Sequence, residues 1–196
     1  MTIRNPNHPK KGSKIKVEPI RTVTAIKRIK RLLADDPRNH CLFTLGINTA
    51  FRAGDLLSIR VSDVMHLKPG GELELKETKT GKHRRVTLNR PCIQSVKKWL
   101  DWAELDADDH LFLGKRGLIR VQTVNNLVKG WCREIDLPGN YGSHSLRKTW
   151  GYMQRKRFKT PLPLLMEAFG HSNQRQTLAY LGIQDVEIKR LYRNEL

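Results

Sequence analysis

The sequence predicts a mainly α domain with one small antiparallel β-sheet, an α+β arrangement. Two patterns lead there. Apolar residues recur at helical spacing in segment after segment of the chain. One clear pair of neighbouring segments alternates as strands do, on either side of Lys79-Thr80-Gly81. The chain shows no internal repeat and no low-complexity stretch.

The elements follow in order. Met1 to Lys16 carries Arg4, Lys10, Lys11, Lys14 and Lys16 without an acid, broken by Pro6, Pro9 and Gly12. It reads as a flexible basic arm over residues 1–19. Thr22 or Thr24 caps a helix to about Leu33, with Val23, Ile26, Ile29 and Leu33 on one face. Asp36-Pro37 opens a second helix, expected to reach about Ala50, and Arg52–Ile59 forms a third segment. Pro69-Gly70-Gly71 is a turn, followed by strands over Glu72–Thr78 and Lys82–Leu88. Pro91 opens a helix to about Ala103 with Ile93, Val96, Trp99 and Leu100 as its apolar stripe. Leu111-Phe112-Leu113 is a short buried piece. Helices are expected at Val121–Glu134, Ser143–Lys156, Leu162–Phe169, Gln174–Leu181 and Asp185–Tyr192.

The 196 residues suffice for one well-packed domain. With 37 Lys plus Arg against 19 Asp plus Glu, the net charge is +18, which calls for a polyanionic partner. Nucleic acid comes first. An anionic membrane surface would need a basic amphipathic helix or a lipid anchor, and neither is evident. No apolar run approaches the roughly 20 residues of a spanning helix, and Met1–Lys16 has no secretory apolar core. Cys41, Cys92 and Cys132 are odd in number and far apart, so they read as free thiols in a reducing cytoplasm. No CxxC or HxxxH pairing marks a metal site.

Six scattered residues carry the chemistry: Arg52, Lys79, His144, Arg147, His171 and Tyr180. A phosphodiester exchange without a metal needs a nucleophile, charge on the non-bridging oxygens and a proton for the leaving oxygen. Arginine answers the second need, because its planar fork donates two bonds to one phosphate and stays charged. Lysine or histidine can supply the proton. A tyrosine hydroxyl, with an ordinary pKa of about 10, needs a base or nearby cations to act as nucleophile. Each motif alone is weak; their joint occurrence in one order on a +18 chain is not.

Over about residues 20–193 the chain resembles the tyrosine recombinases, the lambda-type phage integrases. Thr49-Ala50-Phe51-Arg52-Ala53-Gly54-Asp55 is similar to the family's first arginine motif, with Asp55 where glutamate is commoner and Ala50 where glycine is common. Lys79-Thr80-Gly81-Lys82 resembles the hairpin with the catalytic lysine, Lys79 being the better match and Lys82 the alternative register. His144-Ser145-Leu146-Arg147 is similar to the second box, where Lys148 replaces a frequent histidine. Gly170-His171-Ser172 and Tyr180 match the closing box at its usual spacing.

The resemblance implies a tyrosine recombinase catalytic-domain fold over residues 20–196, and the chain departs from it in one respect: most relatives carry an N-terminal core-binding domain before that fold, whereas none is expected here, as in a short catalytic-domain-only group or a truncated chain. It implies a cytoplasmic, nucleoid-associated prokaryotic or phage enzyme that cleaves and rejoins double-stranded DNA through a 3′-phosphotyrosyl link on Tyr180, for integration, excision or inversion. No cofactor, ATP or metal is expected. Asp55 would orient the site, and Lys82, Arg84, Arg85 and Lys148 are candidate DNA contacts. Assembly into a tetramer on DNA, with accessory DNA-bending proteins, is implied as well. Competing readings are a type IB topoisomerase and a non-catalytic DNA-binding regulator.

Overall fold

A computed structural model describes residues 17–77, 81–114, 117–181, 189 and 192–195. Lys79 and residues 1–16 of the expected basic arm lie outside these, as does most of the helix expected over Asp185–Tyr192.

Helix α1, Val23–Leu32, starts where the Thr22 hydroxyl accepts the Ala25 N–H at 3.1 Å. In α2, Pro37–Gly46, Asp36 caps the first turn by accepting the Asn39 N–H at 3.0 Å, and Pro37 supplies a preset φ. This helix is buried nearly all round, with Cys41, Leu42, Phe43 and Leu45 inside, and packs on α5. It ends four residues earlier than the predicted Ala50. The Asn48 side-chain amide donates to Thr44 O at 2.7 Å, the carbonyl its own backbone N–H would take in a continuing helix, and that N–H turns to Leu45 O at 3.1 Å beside the Thr49 hydroxyl at 2.8 Å. Ala50 then turns left-handed, at φ 56°.

Short helices α3, Ala53–Ser58, and α4, Val61–Val64, lead to the hairpin of β1, Glu72–Lys76, and β2, His83–Thr87. The register runs from Glu72 opposite Thr87 to Lys76 opposite His83. Leu73 and Leu75 are buried while Glu72, Glu74 and Lys76 are exposed. Both strands are shorter than the sequence suggested, because the pairing gives way to a turn closed at Glu77.

Helix α5, Arg90–Trp102, is capped by Asn89 and buries Ile93, Val96 and Trp99. A second small hairpin, β3 Leu113–Gly114 with β4 Gly117–Leu118, follows the buried Leu111 and Phe112. The sequence reading had only the buried piece. Two residues per strand are too few for alternation to show. The remaining described helices are α6, Val121–Glu134, α7, Ser143–Lys156, α8, Leu162–Phe169, and α9, Gln174–Leu181, each with the bounds that the periodicity predicts.

The buried apolar residues form two clusters. The larger joins α1 to α6 under the first hairpin. The smaller contains Ala50, Leu165, Phe169 and Leu181, with Trp150, Leu162 and Tyr180 packed against it. Cys41, Cys92 and Cys132 are free and buried, and burial pushes the Cys92 and Cys132 thiols up to about 12.

Candidate active site

The site forms where the left-handed turn at Ala50, the first hairpin and helices α7 to α9 meet. Helix α7 begins after Gly142, whose N–H donates to the Ser145 hydroxyl at 3.1 Å. Three-residue spacing then puts His144 and Arg147 on one face. Arg147 is only 2% exposed. Its two terminal nitrogens donate to Ala50 O and Phe169 O, each at 2.6 Å, and its guanidinium lies 5.0 Å from the Phe169 ring. Burial lowers its pKa to about 10, so it remains a cation at neutral pH.

Both ends of α8 matter here. Gly170 closes it in the left-handed conformation at φ 62°, and the N–H groups of Gly170 and His171 return to Glu167 O and Met166 O. That cap leaves the Ala168 and Phe169 carbonyls facing the site. Arg147 takes Phe169 O, and Arg84 takes Ala168 O at 2.6 Å. Two cations thus sit at the negative end of the helix. The same cap aims the His171 ring, which stacks on Phe169 with 5.1 Å between centroids and has Nδ1 3.0 Å from the Thr177 hydroxyl. Burial, then Arg147 and Arg52, lower the His171 pKa to about 4.

Arg52 is the N-cap residue of α3. Asp55, fully buried, accepts the Arg52 backbone N–H at 3.2 Å and lies 3.8 Å from its guanidinium. The Glu77 carboxylate holds the same guanidinium at 2.9 Å.

Tyr180, on α9, closes the group. Its hydroxyl is 3.5 Å from His144 Nδ1, and its ring meets Phe169 at 5.1 Å and His171 at 5.3 Å edge-on. The Lys148 ammonium lies 5.1 Å from that ring's centroid. Burial raises the phenol's pKa, opposed by the charges of Arg147 and Arg52 and by a hydrogen bond from Arg147. The phenol is therefore protonated at neutral pH.

Five of the six residues singled out in the sequence come together here: Arg52, His144, Arg147, His171 and Tyr180. Lys79 falls outside the described residues. Among the residues expected to meet DNA, Lys82 and Arg85 stay exposed, Arg85 paired with Glu72 and Glu74. Arg84 and Lys148 point inward. Arg84 donates to Ala168 O and pairs with Glu77, and the Lys148 ammonium donates to Val17 O at 2.9 Å.

The sequence reading missed Glu77 and the inward course of Arg84. The signal was present: Glu77 continues the Leu73, Leu75 alternation, and Arg84 shares a face with Val86. A charge at an inward strand position needs a partner.

The sequence profile of the phage integrase family matches residues 19–187. The chain belongs to the phage integrase family. It is 28% identical to the probable integrase/recombinase YoeC of Bacillus subtilis, over 90% of this chain and 96% of that protein. It is also 28% identical to tyrosine recombinase XerC of Caldanaerobacter subterraneus, over 95% of this chain and 54% of that one. The chain thus spans nearly all of one integrase relative and about half of the other. In fold it is similar to the crystal structure of XerA recombinase, with a TM-score of 0.73 at 19% identity, over 94% of this chain and 66% of that chain. It is similar too to XerH site-specific recombinase bound to palindromic difH substrate in a post-cleavage complex, with a TM-score of 0.72 at 19% identity, over 92% of this chain and 53% of that chain. These recombinase structures share the mostly helical layout with small antiparallel sheets.

Proposed function

We propose that this integrase-family chain is the catalytic domain of a site-specific DNA recombinase, with Tyr180 as its nucleophile. The observation that supports it best is the Tyr180 hydroxyl beside His144, with the Arg147 and Arg52 guanidiniums and His171 close around it. In this reading the phenol gives up its proton and forms an oxygen–phosphorus bond while the bond to the 5′ oxygen breaks. His144 and neutral His171 are the bases at hand. Arg52 and Arg147 balance the charge that builds on the non-bridging oxygens, a preset field in which losing one donor costs on the order of 100- to 1000-fold. Lys79 returns a proton to the leaving 5′ oxygen. A second strand's 5′ hydroxyl then attacks the phosphotyrosine and frees Tyr180. The phosphodiester energy is kept in the protein link, so the exchange consumes neither ATP nor metal.

The substrate is double-stranded DNA, in keeping with the +18 charge. In this reading Lys82 and Arg85, both exposed, touch its backbone. Four copies act together on two DNA sites, the segment after Tyr180 docks on a neighbouring copy, and accessory DNA-bending proteins assist. The enzyme works on nucleoid DNA in a bacterial cytoplasm.

The test is covalent trapping on a randomised library of nicked suicide duplexes. A protein–DNA adduct enriched for one sequence is the expected result. An adduct with no sequence enrichment replaces the recombinase reading with a topoisomerase-like one. Salt-sensitive binding without any adduct overturns catalysis by this chain.

A further inference from the structure

The carboxylate of Glu77 lies in the phosphate-binding part of this site, where simple electrostatics would not place one. It is 8% exposed, at the end of strand β1. Burying a lone carboxylate costs several kcal/mol, and pairing must offset that. Both Glu77 oxygens are engaged. Oε2 lies 2.9 Å from Arg52 Nη1, and Oε1 lies 3.4 Å from Arg84 Nη1.

Arg84 is itself anchored. It donates to Ala168 O at 2.6 Å and to Ala50 O at 3.3 Å, and it lies 5.3 Å from the Phe51 ring. The backbone of Glu77 also closes the hairpin, with Glu77 N donating to Lys82 O and Gly81 N to Glu77 O, both at 2.9 Å. One residue therefore fixes the hairpin's end, and its side chain connects that end to Arg52 and, through Arg84, to the α8 terminus.

We infer that Glu77 is a positioning residue for Arg52: it holds that guanidinium on one edge so that the other edge faces the scissile phosphate. The inference rests on the recombinase reading of the site. The 2.9 Å contact is an ion pair and not an aligned hydrogen bond, since Arg52 Nη1 has no hydrogen-bond partner, but the guanidinium is a rigid plane, so holding one of its nitrogens restricts where the others lie. The sign of the charge separates this role from a binding role. A negative charge beside a phosphate site weakens anion binding, so removing it leaves DNA affinity unchanged or raises it. Loss of alignment, by contrast, slows the chemistry, and a misplacement of about 1 Å costs on the order of 100-fold.

The experiment compares wild type, Glu77→Gln and Glu77→Asp in single-turnover cleavage of a suicide duplex that carries the selected site, alongside DNA affinity and thermal melting. Gln keeps the shape and removes the charge. Asp keeps the charge, and with it the fold, but withdraws the oxygens by one methylene. Both variants are expected to cleave on the order of 100-fold more slowly at unchanged or tighter DNA affinity. A methylphosphonate at the scissile position, which lacks one non-bridging charge, is expected to narrow the gap to wild type because less is asked of Arg52. Wild-type rates in both variants overturn the inference. So does a parallel loss of rate, affinity and melting temperature, which marks a purely structural carboxylate. A wild-type protein that forms no adduct on any duplex overturns the recombinase reading, and the inference with it.

Discussion

His171 is held as a neutral imidazole by its surroundings rather than by its own basicity. Burial and the two arginines lower its pKa from 6.5 to about 4. In the unfolded chain it would titrate near 6.5, so between that value and 4 the unfolded state binds more protons. The folded form accordingly loses stability as pH falls through this window. Histidine NMR should find His171 neutral at pH 5.5 in the free protein, with its midpoint moving up when DNA brings a phosphate between the arginines. A protonated His171 at pH 5.5 without DNA would show that burial and the arginine field together do not hold it neutral. Ala50 is a second residue whose meaning needed the structure. Its place in a motif where glycine is common is legible in the sequence, and φ 56° gives the reason. A left-handed residue costs about 1–2 kcal/mol unless it is glycine. The turn is kept by Arg147 and Arg84, which both bond the Ala50 carbonyl. Glu77 and Arg84 were legible in principle from strand alternation, but their residue types suggested a solvated hairpin tip.

At the scale of elements, helix α7 joins the two apolar clusters, and its small residues permit this. A Cβ at Gly151 would lie 2.3 Å from Phe169 Cζ and 2.8 Å from Leu181 Cδ2. Phe169 cannot swing aside, because His171 stacks on it and Tyr180 and Trp150 meet it edge-on. Gly151→Ala gains up to about 1 kcal/mol of helix propensity but overpacks a filled site at roughly 1–3 kcal/mol. The expected result is a lower melting temperature together with slower cleavage, since Phe169 supports both His171 and Tyr180. A higher melting temperature would mean that α8 and α9 shift freely against α7. Helices with apolar periodicity, α1 and α5 to α9, were readable from sequence, although not all of them carry side-chain N-caps as α1 and α5 do. The end of α2 was not, because it is set by Asn48 and Thr49 bonding backward to carbonyls. Nor was the second small hairpin, whose strands are too short to show a period.

Over the whole molecule, the site residues come from distant parts of the chain, from Arg52 to Tyr180, and meet only because the two clusters fold together. The whole chain carries 37 basic against 19 acidic residues. Among the described residues no helix is long and apolar enough to cross a membrane. DNA affinity should fall linearly in log–log form with salt, by about 1000-fold from roughly 50 to 200 mM if about six phosphates are contacted. Filter binding across that range checks it, and a flat response would mean that the charge is not what holds DNA. The most direct measurement compares wild type with Tyr180→Phe on a suicide duplex, reading covalent adduct and affinity together. Because Phe keeps the ring against Phe169 and His171 and removes only the hydroxyl, the account predicts no adduct and affinity within about twofold, below about 0.4 kcal/mol. An adduct formed equally by the Tyr180→Phe protein would contradict it, and place the nucleophile elsewhere in the chain.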